Sequence, residues 1–147
     1  NPEVIAYLNA ENAYADTVMA HTKALQETLF AEMKGRIKEE DSSVPYFENG
    51  YYYYSRTETG KQYRIHCRKK GNLDAAEEIM LDENKEAEGK PAFVLAGFRV
   101  SPDNRIMGYA SNYTGSYVEF TLRFRDLQTG QDLPDVIENA GSCSCYY

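Results

Sequence analysis

The sequence predicts an α+β protein in which an N-terminal helical segment is followed by antiparallel β-sheets. Three observations support this prediction. Residues 4–37 carry apolar side chains at helical spacing, whereas residues 51–82 read as strand, turn, strand, turn and strand. The β pattern then recurs over residues 106–137, with Tyr53 and Tyr109 at matching positions 56 residues apart. Internal repetition near this period is typical of propeller blades or a similar array.

Bulk composition limits the classes of function. The chain has 147 residues, which favours one domain, and 42% hydrophobic residues, which suffice for a packed core. Its net charge of −7 and its lack of a basic run argue against nucleic-acid binding, because an acidic chain repels phosphate. No apolar stretch reaches the roughly 18 residues that a membrane helix needs, so we expect no membrane partner.

The first element is a helix. Asn1 is a suitable N-cap, Pro2 fits the first helical position, and Glu3 lies near the positive end of the helix dipole. His21 and Thr22 offer a break, with Thr22 as a candidate cap for a second helix. The apolar residues of the first helix follow a loose helical stripe: Val4, Ile5, Leu8, Tyr14 and Val18.

The second helix has a clearer apolar stripe, formed by Leu25, Leu29, Phe30, Met33 and Ile37. We expect the two helices to form an antiparallel hairpin or one broken helix, and their stripes need a partner. The polar stretch that follows ends at proline 45. We therefore assign residues 1–43 to the helical segment and residues 46–147 to the β part.

The first β unit covers residues 46–85. Tyr51–Arg56 is aromatic, which favours a half-buried strand. A turn at 57–60 precedes an alternating run at 62–68, and residues 77–81 give a third short strand. The alternating run has an apolar face with Tyr63, Ile65 and Cys67 and a polar face on which we expect His66 to be solvated.

The second β unit covers residues 92–139, after a charged stretch at 82–91 that we interpret as an exposed connector. Strand candidates lie at 92–100, 106–111 and 119–127, and residues 101–104 (SPDN) form a structural turn between the first two. In the last candidate, Phe120, Leu122 and Phe124 share one face. Residues 142–147 have the alternation of a strand that is cut short, which indicates the start of a third unit and an N-terminal fragment of a larger protein.

A search for chemistry assigns no catalytic, cofactor-binding or metal-binding residue. A serine hydrolase needs Gly-x-Ser-x-Gly and a triad in the order Ser, Asp, His, but the elbow is absent and the last histidine is His66. His21 is interpreted as a surface or capping residue. Cys143 and Cys145 lack zinc-knuckle spacing, and burial in a strand is the interpretation we favour over a metal site or a redox pair.

Two further features have both a functional and a structural interpretation. The tyrosines at 51–54 could form a stacking platform for sugar or peptide, but a strand with two tyrosines in the core is the simpler interpretation. The acidic run at 39–41 could attract basic peptides, although such a run is usually solvated. Three cysteines do not make a disulfide framework. This favours a reducing, cytoplasmic location, with the periplasm as the alternative if a leader was removed.

Several stretches resemble the start of the prolyl oligopeptidase family, peptidase family S9. They are NPEVIAYLNAENAY at 1–14, LQETLFAEMKGRI at 25–37, VPYFENGYYYYSR with GKQY at 44–63, VSPD at 100–103 and LRFRDLQTG at 122–130. The resemblance covers essentially the whole chain. Within the family, it is strongest to the enzymes that cleave after Lys or Arg.

The resemblance implies a two-domain serine oligopeptidase. A C-terminal α/β-hydrolase domain would carry the triad, and a seven-bladed β-propeller would restrict access to short peptides. In that picture, residues 1–43 pack on the hydrolase domain, and the first two blades lie at 46–85 and 92–139. The third blade would begin at 142–147. The hydrolase domain is absent from these residues, so the chain alone is expected to be inactive.

The alternative is a non-enzymatic interaction module, a small β-array with a helical arm that holds a protein partner. It would have closed sheet edges and need no further chain. A two-blade piece of a propeller cannot close its ring, and open edges invite pairing. We therefore expect the isolated chain to self-associate if the propeller interpretation is right.

Overall fold

The computed structural model describes residues 1–141. They divide into a helical unit, Asn1–Lys38, and a β unit that begins at Glu39. The division falls before the boundary expected from the sequence, because residues 39–43 pair with the first sheet. Ser43 donates its backbone N–H to the Ser55 carbonyl at 2.8 Å, and Thr57 donates to the Asp41 carbonyl at the same distance.

The helical unit consists of α1, Pro2–Met19, a 3₁₀ turn at Ala20–Thr22, and α2, Lys23–Gly35. The Asn1 side chain accepts a hydrogen bond from the Glu3 N–H at 2.9 Å and so caps α1 as expected. Thr22 precedes α2 without capping it, because its hydroxyl donates to the Met19 carbonyl at 2.7 Å instead. Neither helix has a buried side chain.

The first sheet contains four antiparallel strands in sequential order: β1, Tyr46–Glu48; β2, Tyr51–Arg56; β3, Ile65–Lys70; and β4, Glu77–Asp82. Asn49 and Gly50 form the first turn with φ values of 46° and 83°, a conformation that asparagine and glycine tolerate best. The strand expected from residue 62 begins at Ile65.

A short helix, α3 at Glu83–Glu86, leads to the second sheet. Its strands are β5, Val94–Val100; β6, Ile106–Asn112; β7, Phe120–Asp126; and β8, Gln131–Ala140, again antiparallel and in order. Neither four-stranded sheet closes on itself. A helical segment followed by two open antiparallel sheets is the fold class that the sequence predicted. The expected start of a third unit at 142–147 lies outside the described residues.

One buried cluster joins the two sheets. Tyr53, Met80 and Leu81 come from the first sheet and Met107 and Tyr109 from the second, and none exposes more than 3% of its surface. The repeat seen in the sequence is therefore a packing repeat, because Tyr53 and Tyr109 occupy matching positions in their sheets. Each Å² of apolar area removed from water stabilises the folded state by about 25 cal/mol. Because the side chains of this cluster are almost fully buried, the cluster is a main source of stability.

The buried cluster is faced by polar as well as apolar members of the alternating strands, while Ile65 and Cys67 on the other face of β3 are also buried. Across β6 and β7, Tyr109 lies opposite Arg123 and Met107 opposite Arg125, so the arginines share the face of the buried cluster. In the first sheet, Tyr53 lies opposite Arg68, which is only 4% exposed. Arginines from both sheets, Arg68 from the first and Arg123 and Arg125 from the second, thus lie on the faces that carry the buried cluster.

Candidate functional site

The residues most able to do chemistry are occupied by structural contacts. His21 is exposed, and its Nδ1 lies 2.9 Å from the Val18 carbonyl oxygen, which fits the expected surface role. His66 is not solvated as expected. Its Nε2 lies 2.6 Å from Glu83 Oε1, and its ring meets Phe98 edge-on at 5.1 Å, so that 13% of its side chain is exposed.

Cys67 has the properties of a core residue rather than those of a nucleophile. It is free and fully buried in β3. Burial, and then the negative charge of Glu77, raises the pKa of its thiol to about 12. Within residues 1–141, no group of three or more His, Cys, Asp or Glu side chains is placed to hold a metal ion. Cys143 and Cys145 lie outside the described residues.

A first bridge between the sheets is built on Asn104, in the turn between β5 and β6. Its backbone has a φ of 61°, which asparagine adopts more readily than most residues. The side-chain Nδ2 donates to the Asn49 carbonyl at 3.0 Å, and Oδ1 accepts from the Tyr53 hydroxyl at 3.2 Å. The turn at 101–104 is therefore structural, as expected, and it also joins the two sheets.

Arg68 completes this first bridge. Its Nη1 donates to the Asn104 carbonyl at 2.8 Å, its Nε donates to Glu78 Oε2 at 2.8 Å, and its guanidinium lies 4.2 Å from the centre of the Tyr51 ring. A planar guanidinium can make these contacts together, which a lysine could not. Arg68 thus holds a buried charge that is paired, hydrogen-bonded and stacked.

A second bridge joins α3 to the second sheet. Arg125 donates from Nη2 to Glu86 Oε1 at 2.8 Å and from Nε to Asp132 Oδ1 at 2.6 Å. The Tyr109 hydroxyl donates to Asp132 Oδ2 at 2.9 Å. Burial and the hydrogen bond to Asp132 raise the pKa of Tyr109, although the charge of Arg125 acts in the opposite direction. The connector expected to be exposed is therefore anchored through Glu86.

The aromatic strand β2 has a structural role. Tyr53 is buried and stacks on Tyr46 at 5.5 Å, whereas Tyr51, Tyr52 and Tyr54 are half-buried. Tyr54 donates its hydroxyl to Glu77 Oε2 at 2.5 Å, so its ring edge is engaged at the sheet surface. Tyr53 lies in the core and Tyr51 packs against it, which agrees with the structural interpretation of this strand.

Among the surfaces that expose apolar side chains, we call two the open apolar surfaces. One is the helical unit, where Ile5, Leu25, Phe30, Met33 and Ile37 are each more than half exposed. The other is the outer face of the second sheet. Leu122 lies opposite Ile137 on the face that does not carry Tyr109, and Ile137 is 54% exposed. Large exposed apolar patches are uncommon on folded chains that stand alone. No helix within residues 1–141 is long and apolar enough to cross a membrane.

Two sequential four-stranded antiparallel sheets, packed face to face and open at the outer face, define this chain as a pair of propeller-type blades with a helical extension. The family model for the N-terminal β-propeller domain of prolyl oligopeptidase matches residues 1–144. The chain belongs to the prolyl oligopeptidase family, as its sequence resemblance predicted.

The proteins to which this chain is similar carry the names of peptidases. The chain is 43% identical to dipeptidyl aminopeptidase BI of Pseudoxanthomonas mexicana and 33% identical to protease 2 of Moraxella lacunata, in each case over 95% of this chain and 21% of the relative. The structure of oligopeptidase B from Trypanosoma brucei, in a closed form with covalently bound antipain, matches with a TM-score of 0.84 and 32% identity. This match covers 97% of this chain and 20% of that one. The oligopeptidase B structure from Leishmania major gives a TM-score of 0.82 at 30% identity, over 94% of this chain and 20% of that one.

The chain therefore spans about a fifth of the length of the relatives it matches. Sequence reasoning missed the residues that bridge the sheets, above all Arg68, Asn104, Glu86 and Arg125. One indication was present, since basic residues alternate with apolar residues from Arg64 to Arg68 and again along β7. An arginine on a strand can be buried under a second sheet if a polar residue on the neighbouring strand pairs with it.

Proposed function

We propose that this chain is the propeller portion of a serine oligopeptidase and that its blades restrict the active site to short peptides. The match of residues 1–144 to the N-terminal propeller domain supports this most directly. The hydrolase domain with its Ser-Asp-His triad would lie in the remaining part of the protein. The 147 residues alone would then turn over no peptide substrate.

The two bridges support the restricting role. They tie the blades together through Asn104 and Glu86, so the two sheets resist being moved apart. A wall of this kind admits a short flexible peptide but excludes a folded chain. A test would present the full-length enzyme with a short reporter peptide and with the same cleavage sequence in a surface loop of a folded protein. We expect cleavage of the peptide alone, and equal rates would contradict the proposal.

The helical unit would pack on the hydrolase domain. Its apolar side chains cannot form a core of their own, since no side chain of α1 or α2 is buried. Each large apolar residue that becomes buried contributes about 1.5–3 kcal/mol, so a contact through several of them is strong. In the isolated chain the same surface would promote self-association. Light scattering over a concentration series tests this, and a stable monomer at high concentration would contradict it.

The proposed substrates are short peptides with Lys or Arg before the cleaved bond. The net charge of −7 supports this choice, because an acidic protein attracts basic peptides and raises their rate of encounter. A second candidate activity is removal of N-terminal dipeptides, which the 43% identity to a protein named dipeptidyl aminopeptidase favours. Both activities need the same triad and differ in what they require of the peptide's amino end.

One experiment separates these activities. The full-length enzyme is given matched short peptides with an internal Arg, with Lys, or with a neutral residue at the same place, each with a free or an acetylated amino end. Cleavage of acetylated Arg and Lys peptides supports the oligopeptidase. Cleavage of free peptides alone supports the dipeptidyl activity. Equal cleavage of the neutral peptide would contradict the preference for basic residues.

We also propose a cytoplasmic location. The buried free thiol of Cys67 is compatible with a reducing compartment. Cell fractionation of the source organism tests this, and recovery of the protein in the periplasm would contradict it.

A further inference from the structure

The loop between β6 and β7, residues 113–119, presents two bulky apolar side chains to solvent. Tyr117 is 83% exposed and Val118 is 79% exposed. Among the large hydrophobic residues that the structure describes, only Val44, at 90%, is more exposed. Exposed single residues are common, but two adjacent ones at the tip of an ordered loop indicate a contact surface.

The loop is held in shape from its inner side. Asn112, at the end of β6, is 8% exposed, and its side-chain oxygen accepts backbone N–H bonds from Thr114 at 3.2 Å and from Gly115 at 3.1 Å. Its Nδ2 donates to the Ser116 carbonyl. The Ser116 hydroxyl in turn accepts from the N–H groups of Val118 and Glu119, both at 3.3 Å. The backbone on either side of the apolar pair is therefore fixed.

The base of the loop is anchored as well. The Tyr113 ring packs at 5.6 Å from the ring of Phe93, and its hydroxyl donates to Glu86 at 3.3 Å. Beside the loop lies an open cavity of about 280 Å³, lined in part by Phe120, Arg123 and Glu138. A protruding apolar tip next to a polar hollow gives the surface a relief that a complementary protein surface can match.

Fixing the loop before contact lowers the entropy that binding must overcome, because the backbone is ordered already. We propose that Tyr117 and Val118 form an interdomain contact, in which both side chains enter an apolar depression on the peptidase portion of the same full-length protein. This inference rests on the proposed function, in which that portion exists. It assigns the β6–β7 loop as a contact separate from the helical unit.

The size of the patch favours this partner over others. Tyr117 and Val118 together offer far less than the roughly 1,000 Å² that a stable association between separate proteins buries. A contact within one chain needs much less area, since linkage keeps the effective concentration of the partner at about the millimolar level. The relatives are about five times longer than this chain, so a linked partner of sufficient size is available in the proposed parent.

The test is made on the full-length protein by cysteine labelling. Tyr117→Cys and Val118→Cys are prepared separately, so that each variant keeps the other apolar residue. Leu73→Cys is the control, because Leu73 is 49% exposed in the loop between β3 and β4 and is part of neither proposed contact. Phe30→Cys, in the helical unit, reports on the proposed packing of that unit. Labelling by a maleimide is quantified by mass spectrometry on the peptide that contains each position and normalised to the rate in denaturant.

If the inference holds, positions 117 and 118 react at least ~10-fold more slowly than position 73, because labelling must wait for the contact to open. Rates at 117 and 118 equal to or above the rate at 73 would overturn it. If position 30 is then still protected, the proposed packing of the helical unit stands and only the loop assignment fails. If position 30 is also unprotected, the proposed docking on a peptidase portion fails with it.

Two other results would also overturn the inference by assigning the loop another partner. Protection at 117 and 118 that rises with protein concentration would assign the loop to a second copy. Protection that arises only when a short peptide is added would assign it to the substrate. The expected protection is present at low protein concentration and without peptide.

Discussion

The interface between the two sheets and the open apolar surfaces differ in how they satisfy their side chains. The interface combines a small apolar cluster with buried arginines, and each arginine that it contains is paired, as at Arg68 and Arg125. The open apolar surfaces, in α2 and on the outer face of the second sheet, carry exposed Phe30 and Ile137. The chain thus completes one interface by itself and leaves other apolar side chains exposed.

This difference follows from what each surface must specify. Apolar contacts are tolerant of small shifts, whereas a buried guanidinium with three fixed partners has one arrangement. The blades must be held in register, and Asn104 and Arg68 fix that register at the turn between β5 and β6. A purely apolar surface contains no buried charge, so it can remain exposed without leaving such a charge unpaired.

The largest effect is expected from the apolar cluster. Leu81→Ala removes a fully buried side chain from the interface, and it should lower the free energy of unfolding by about 2–5 kcal/mol. Urea denaturation followed by circular dichroism measures this. The matched control is Ile79→Ala on the same strand, which is 50% exposed and should cost about 1 kcal/mol or less. Equal losses would show that the cluster is not the centre of stability.

A smaller effect is expected from the bridge at Asn104. Arg68→Met keeps most of the side-chain volume but leaves the Asn104 carbonyl without its donor, and we expect a loss of about 2 kcal/mol. Arg105→Met is the control, since Arg105 pairs with Asp126 but is 63% exposed and should contribute under about 1 kcal/mol. If Arg68→Met were neutral, the interface between the two sheets would be held by apolar contact alone. It would then not differ from the open apolar surfaces in how its side chains are satisfied.

The sequence predicted the elements well, and the apolar face of β3 with Ile65 and Cys67 is buried as its pattern indicated, but the burial of the polar face was missed. Period-two alternation and turn residues located the strands β2, β6 and β7 to within a residue or two, and the helix cap at Asn1 was correct. The inward direction of Arg68 and Arg125 was not predictable from alternation, because a polar row is normally assigned to solvent. Burial of these arginines needs partners from elsewhere in the fold, and Asn104 and Glu86, which supply them, lie more than 30 residues away in the sequence.

The connector was misjudged for a related reason. Its charged residues favour exposure, but Glu86 is drawn to Arg125 and Glu83 to His66, so both carboxylates lie at the junction between the sheets. Charge content alone cannot tell a solvated loop from one whose charges meet buried partners. The absence of a nucleophile elbow, in contrast, could be read directly, because that motif is local in sequence.

Acid titration offers a finer test of the polar contacts within the first sheet. Burial alone would raise the pKa of Glu77, but the hydrogen bonds from Arg56 and Tyr54 outweigh burial and hold the pKa below its ordinary value. The ionised carboxylate therefore stabilises the folded chain at pH values above the unfolded pKa. This contribution is lost as the pH falls through the lower, folded pKa.

Glu77→Gln should accordingly reduce stability near neutral pH and flatten its decline in acid. Thermal unfolding between neutral and acidic pH measures both. Glu48→Gln changes the net charge equally at an exposed position of β1 and should leave the shape of the profile unchanged. An unaltered acid decline in Glu77→Gln would mean that other carboxylates control it.

The smallest effect in this chain, and the most informative contrast, is expected at the helical unit. Phe30 is 65% exposed, so Phe30→Ser should change the unfolding free energy of the 147-residue chain by no more than about 0.5 kcal/mol, measured at a protein concentration low enough to keep the chain monomeric. In the full-length protein the same change should cost about 1.5–3 kcal/mol, because the proposed docking buries that ring. Glu27→Ser on the same helix is the control and should be neutral in both. A small effect in both proteins would mean that Phe30 stays exposed in the parent, and the open surface would then need another partner.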